Sequence, residues 1–96
     1  IQNTSLSATL TLLDLTNQAP VQGTYHIRVA ANTNDVSSIT LFSTGGPLST
    51  ASNVSTNIFQ VNGTNLWVGL HPFYATVVTA DGLRYRTQTQ WVQFTP

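Results

Sequence analysis

The chain has no cysteine, no methionine, no lysine and no glutamate. Without cysteine there is no disulfide framework and no thiolate metal site. The 96 residues must therefore hold together on an apolar core alone, which a domain of this size can do. The missing cysteine does not fix a compartment, because a reducing cytosol and an exterior surface both tolerate it. Charge of either sign is scarce at 6% of residues, against about 25% in ordinary soluble domains. The charged set is Asp14, Arg28, Asp35, Asp81, Arg84 and Arg86, with a formal net charge of zero. Such a chain projects no long-range field to gather nucleic acid or an anionic membrane. No apolar run approaches the roughly 18 residues of a membrane span, and no signal pattern with a basic start is visible. Opening at Ile1, the chain reads as an excised module or a processed mature chain, with any export signal upstream.

Apolar residues make up 41% of the sequence, enough for two packed sheets in a single domain over 1–96. Thr, Ser, Asn and Gln must then cover the surface. That composition is common in extracellular β modules, and it leads us to expect a secreted or cell-surface setting.

Strand signals recur at short spacing, and helix signals are nearly absent. In Leu6 to Leu15 the alternation puts Leu6, Ala8, Leu10 and Leu12 on one face, and Thr9 and Thr11 favour strand over the competing helical spacing. Residues 1–15 thus hold the N-terminal strand, and 16–23, with Pro20 and Gly23, form a hinge or loop. Thr24 to Ala31 alternates cleanly, with Tyr25, Ile27, Val29 and Ala31 on one face. Ile39 and Leu41 anchor a third strand that ends at Gly45-Gly46-Pro47. Residues 48–56 read as loop with at most a short edge strand, and Ile58 to Val61 as a fourth strand. Asn62-Gly63 predicts a hairpin returning through Leu66 to Val68. His71 to Thr79 is the clearest strand, and Asp81-Gly82 turns it into a last strand from Arg84 to Phe94. About seven short strands with turns between them make the pattern of an all-β sandwich. Ile27, Val29, Ile39, Leu41, Phe73, Ala75 and Val77 are the expected core.

Gly69-Leu70-His71-Pro72-Phe73-Tyr74-Ala75, then Thr79-Ala80-Asp81-Gly82, then Tyr85-Arg86-Thr87, resembles the last hairpin of bacterial immunoglobulin-like domains. Val36-Ser37-Ser38-Ile39-Thr40-Leu41-Phe42 followed by Gly45-Gly46 resembles their middle strand and turn. The resemblance covers roughly residues 20–94 and implies an immunoglobulin-like (fibronectin-III-like) antiparallel β-sandwich. It also implies an accessory role in secreted multidomain enzymes or adhesins, often ones acting on polysaccharide, with neighbouring domains as partners. The family offers no catalytic residues to carry over. The acidic clusters that bind calcium in some relatives are missing here.

Catalysis needs converging groups, a nucleophile beside a base that a third group orients. Only His26 and His71 are candidate neutral-pH bases. His71 falls on the core face, where a histidine is expected to be structural and hydrogen-bonded. His26 falls on the opposite, surface face. A glycosidase carboxylate pair is almost excluded, with no glutamate and three aspartates in separate turns or strand ends. No metal-ligand cluster is spaced along the chain, although a carbonyl-rich calcium loop stays open. Asn3-Thr4-Ser5, Asn53-Val54-Ser55 and Asn62-Gly63-Thr64 match the glycosylation sequon, as chance allows in so Asn- and Thr-rich a chain. We expect no enzyme activity, no cofactor and no nucleic-acid partner.

The aromatics remain. With Thr79 opposite Leu83, the simplest hairpin register pairs Val77 with Tyr85, Phe73 with Thr89 and His71 with Trp91 on the core side. The outer face then carries Tyr74 beside Gln88, Thr76 beside Arg86 and Val78 beside Arg84. Tyr74, flanked by Arg86 and Gln88, is a candidate sugar platform; the plainer alternative is a cross-strand pair in which arginine covers a ring. Trp67 is either exposed and part of a binding surface or an anchor at the core edge, and Trp91 is assigned to the core. The leading expectation is a non-catalytic accessory or spacer module of a carbohydrate-active protein. The alternatives are a carbohydrate-binding module using Tyr74, Arg86, Gln88 and Trp67, and a self-assembling surface or filament subunit that exchanges its N-terminal strand with identical subunits.

Overall fold

The structure is a computed structural model that describes residues 8–33 and 35–96. Leu6, the sequon at Asn3 and the start of the N-terminal segment lie outside the described residues. Within them the chain is all-β. Its elements are β1 (Ala8–Leu12), β2 (Gln18–Pro20), β3 (Thr24–Ala31), β4 (Val36–Ser43), β5 (Gly46–Ser52), β6 (Thr56–Asn62), a single helical turn α1 (Gly63–Leu66), β7 (Gly69–Thr79), β8 (Arg84–Arg86) and β9 (Gln90–Thr95). Nine strands, in place of the expected seven or so, form two sheets. The smaller runs β1-β3-β6. The larger runs β2-β9-β7-β4-β5, with β8 pairing β7 on the flank away from β4.

The period-2 pattern of the sequence accounts for the core. Ile27 and Val29 from the smaller sheet meet Ile39, Leu41, Phe73, Ala75 and Val77 from the larger, and all seven are fully buried. Val92 and Phe94 complete the layer from β9, where Phe73 meets Phe94 edge to face at 6.3 Å between centroids. Each of these side chains larger than Ala75 contributes about 1.5–3 kcal/mol on burial.

β1 pairs antiparallel with β3 of its own chain, from Ala8 opposite Ala31 to Leu12 opposite Ile27. Leu10 is buried, and Ala8 and Leu12 pack partly against the core. The segment read as a hinge carries β2, which crosses to the other sheet and runs parallel to β9, with Ala19 opposite Phe94.

Three expectations are corrected. Residues 46–52 form a full edge strand, β5, against β4. Its residues are mostly exposed Ser and Thr, so no apolar alternation marked it. Asn62-Gly63 does not make a hairpin: Gly63 opens α1, and the chain passes from β6 in one sheet to β7 in the other. A β-carbon on Gly63 would sit 2.5 Å from the Val21 carbonyl oxygen, so the glycine serves close packing, not a tight turn. The third correction concerns the last strand. The register about Asp81-Gly82 is as expected through Val78 opposite Arg84, Val77 opposite Tyr85 and Thr76 opposite Arg86. Farther along, Phe73 stands opposite Gln90, Pro72 opposite Trp91 and His71 opposite Val92. One extra residue has entered the strand. It turns Trp91 out of the core and Val92 and Phe94 in, because a one-residue slip exchanges the faces of a strand.

Candidate functional site

The extra residue is a β-bulge opposite Tyr74. The Thr87 amide donates to the Ala75 carbonyl at 2.9 Å. The Ala75 amide donates to the Thr87 hydroxyl oxygen, also at 2.9 Å, in place of a carbonyl. Thr87 is buried, and its hydroxyl donates to the Gln88 carbonyl. Gln88 and Thr89 together then face the single residue Tyr74, two residues against one. β8 and β9 are the two halves of one interrupted strand.

The bulge organises the outer face of the larger sheet. Phe42 on β4 is the cross-strand partner of Tyr74 on β7, and their rings stack at 5.1 Å with planes 3° apart. From the other flank Arg86 lays its guanidinium carbon 4.0 Å from the Tyr74 ring centroid and donates from Nη2 to the Thr89 hydroxyl at 3.1 Å. The Tyr74 ring is thus held between Phe42 and Arg86, since β4 and β8 flank β7 on opposite sides. A ring covered on both sides offers no open face to a sugar. The guanidinium gains a cation–π contact there, and the geometry is that of the plainer cross-strand alternative.

Of the four residues proposed from sequence, Tyr74 and Arg86 come together as expected. Gln88 lies exposed in the bulge. Trp67 stands at another place, between α1 and β7, and is 64% exposed. Its backbone has φ 73° and ψ −176°, a region that is essentially glycine's own and costs on the order of 1–3 kcal/mol for other residues. Two hydrogen bonds hold it: the Trp67 amide donates to the Gly63 carbonyl at 2.8 Å, and His71 Nε2 donates to the Trp67 carbonyl at 3.0 Å. His71 Nδ1 is hydrogen-bonded to the Thr44 hydroxyl at 2.9 Å, and the Trp67 carbonyl, which can only accept, requires a proton on Nε2. His71 is 9% exposed and leans on Phe94. It is the hydrogen-bonded structural histidine that its position on the core face predicts.

Sequence reasoning missed Trp91. It is 54% exposed on the outer face, opposite Pro72 and diagonal to Leu70, which is itself 56% exposed. Gln93 follows two residues on along the same face, opposite Leu70 and beside Gln18 of β2. This end of the sheet carries no charged side chain among those strand positions. The only sequence cue was the Thr87-Gln88-Thr89 run between two alternating halves, where a threonine can stand in for a carbonyl and shift the phase.

On the surface of the smaller sheet the His26 ring is hydrogen-bonded to Asp14, with Nδ1 2.8 Å from Oδ2. The His26 amide also donates to Asp14 Oδ1 at 2.6 Å. The His26 ring hydrogen bond, then the His26 amide, hold the Asp14 carboxyl below its ordinary value. Asp81 accepts the Thr79 hydroxyl inside its own turn, and the Leu83 amide donates to that hydroxyl at 3.0 Å. No group of three His, Cys, Asp or Glu side chains able to hold a metal occurs among the described residues. No helix among them is long and apolar enough to cross a membrane. A shallow cleft of about 90 Å³ lies between Leu48, Gln60, Asn62 and Leu66. Compared with protein-family models, curated proteins and solved structures, the chain has no significant match in any of the three.

Proposed function

We propose that this chain is an immunoglobulin-like accessory module of a secreted or cell-surface protein that handles carbohydrate, and that it orients a neighbouring domain without performing chemistry. Strand order supports the immunoglobulin-like reading. β1, β3 and β6 take the places of strands A, B and E, and β4, β7 and the interrupted β8–β9 those of C, F and G. β5 joins the sheet of β4, as the added strand does in variable-type domains, and β2 runs parallel to β9.

The observation that carries the non-catalytic reading is the commitment of both histidines to structure. His71 is fastened between Thr44 and Trp67, and His26 is tied to Asp14. One end of the larger sheet exposes instead an indole, a leucine and amides, at Trp91, Leu70 and Gln93. A domain that commits both its histidines to scaffolding and exposes an uncharged apolar patch at one end of a sheet is suited to contact, not turnover. The test is deletion of residues 8–96 from the polypeptide that carries this module. Turnover of a small soluble substrate by the remaining domain should be kept, while its melting temperature or its action on insoluble polysaccharide falls. Loss of turnover on the small substrate, with the remaining domain still folded, would mean that this chain supplies catalytic groups.

A second reading, a carbohydrate-binding module proper, is favoured by one observation: the half-exposed indole of Trp91 on a rigid strand.

A further inference from the structure

We infer that Trp91, not Tyr74, is the centre of a glycan-stacking platform on the larger sheet, built with Pro72, Leu70 and Gln93. The inference rests on the accessory-module reading and names the surface and ligand class by which such a module would act. Trp91 sits within β9 and pairs with Pro72 of β7, while β2 joins the other edge of β9 two residues farther on, at Gln93. Its backbone therefore belongs to a sheet strand and not to a loop. Pro72 stands directly across from it, a rigid apolar wall against which an indole can rest. Leu70 widens the apolar floor on the diagonal. Gln93 and Gln18, paired across β9 and β2, supply amide donors and acceptors beside that floor. An apolar ring edged by amides matches a pyranose, which has one face of C–H groups and a rim of hydroxyls.

Two features select a neutral polysaccharide over other ligands. The first is charge. Of the cations on this sheet's outer face, Arg84 pairs with Val78 toward the far end of β7, and the guanidinium of Arg86, which reaches toward the platform, is taken up by the Tyr74 ring and the Thr89 hydroxyl. The platform positions themselves, Trp91, Pro72, Leu70, Gln93 and Gln18, carry no charge. The second is size. A floor of a few side chains across β7, β9 and β2 is narrow beside the roughly 20–30 residues per side of a stable protein interface, and it suits a linear chain. Tyr74 lacks this capacity because Phe42 and Arg86 take its two faces.

Affinity electrophoresis of the whole chain through gels holding xylan, β-glucan, mannan or starch, with pull-down on cellulose and chitin, tests the platform. Wild-type chain should be retarded by at least one of these. Trp91→Ala should weaken that interaction tenfold or more with an unchanged melting temperature, and Trp91→Phe should keep part of it. Tyr74→Ala should lower the melting temperature while retaining binding. No retention of the wild type on any of the six polymers overturns the platform, as does Trp91→Ala binding like wild type. Loss of binding only in Tyr74→Ala would move the site back to Tyr74. Trp91-dependent association with an adjoining protein domain, without glycan binding, would assign the face to a protein partner. The deletion experiment on the carrier polypeptide stands apart from these outcomes, so the platform can fail while the accessory role survives.

Discussion

The hydroxyl oxygen of Thr87 takes the amide proton of Ala75 at 2.9 Å, in the place where a ladder would offer a backbone carbonyl. That exchange sets the phase of everything after it. Ala75 is fully buried, so its amide has no water to turn to. Thr87→Val keeps the shape and removes the acceptor, and an unsatisfied buried N–H costs about 1–3 kcal/mol. Urea unfolding should register a loss of that size, and Thr87→Ser should recover most of it. A Thr87→Val protein as stable as wild type would mean that the bulge does not depend on this bond.

The bulge also marks how far the sequence could be read. Alternation placed all seven expected core residues inside the sandwich, because burial on one face of a strand leaves a period-2 signature. The turn at Asp81-Gly82 set three cross-strand pairs correctly. Alternation carries no record of an inserted residue, so the simple hairpin register runs one step out for every pair beyond Thr87 and puts Trp91 on the wrong face. β5 left no signature because an exposed edge strand of Ser and Thr has no apolar side to reveal. Asn62-Gly63 misled for another reason: the glycine is there because the Val21 backbone lies against it, and a dipeptide cannot tell close packing from a positive φ.

Trp67 occupies a backbone conformation suited to glycine, and its indole is exposed, so little packing is lost on truncation. Relief of about 1–3 kcal/mol of strain, less the roughly 0.5–1 kcal/mol entropic cost of glycine, leaves Trp67→Gly more stable by about 1 kcal/mol. Thermal unfolding should move upward by a few degrees. A clear fall in the midpoint would place the indole in a stabilising contact.

Asp14 is held below its ordinary value of 3.8 by the His26 ring and amide. A depressed carboxyl contributes stability above its unfolded pKa and loses it as pH falls through the folded value. The stability difference between wild type and Asp14→Asn should therefore be present from about pH 5 upward and shrink as the pH drops below about 4. It should be small and salt-sensitive, because the pair is exposed. Urea midpoints measured across the acid range check this, and a difference that ignores pH would contradict it.

Phe73 is fully buried and meets Phe94 edge to face. Phe73→Ala should cost about 3–5 kcal/mol in equilibrium unfolding, with a cooperative transition kept if the sandwich survives. A loss below about 1 kcal/mol, outside that range, would remove this ring from the core.

The decisive measurement concerns Trp91, whose outward placement links the bulge to the proposed function. In a Trp67→Phe background Trp91 is the sole indole, and its fluorescence can be followed against acrylamide. The expected result is red-shifted emission with ready quenching, and protection from the quencher on adding whichever neutral polysaccharide retards the wild-type chain. A blue-shifted indole that resists acrylamide would place Trp91 in the core, which would contradict both the bulge and the platform built on it.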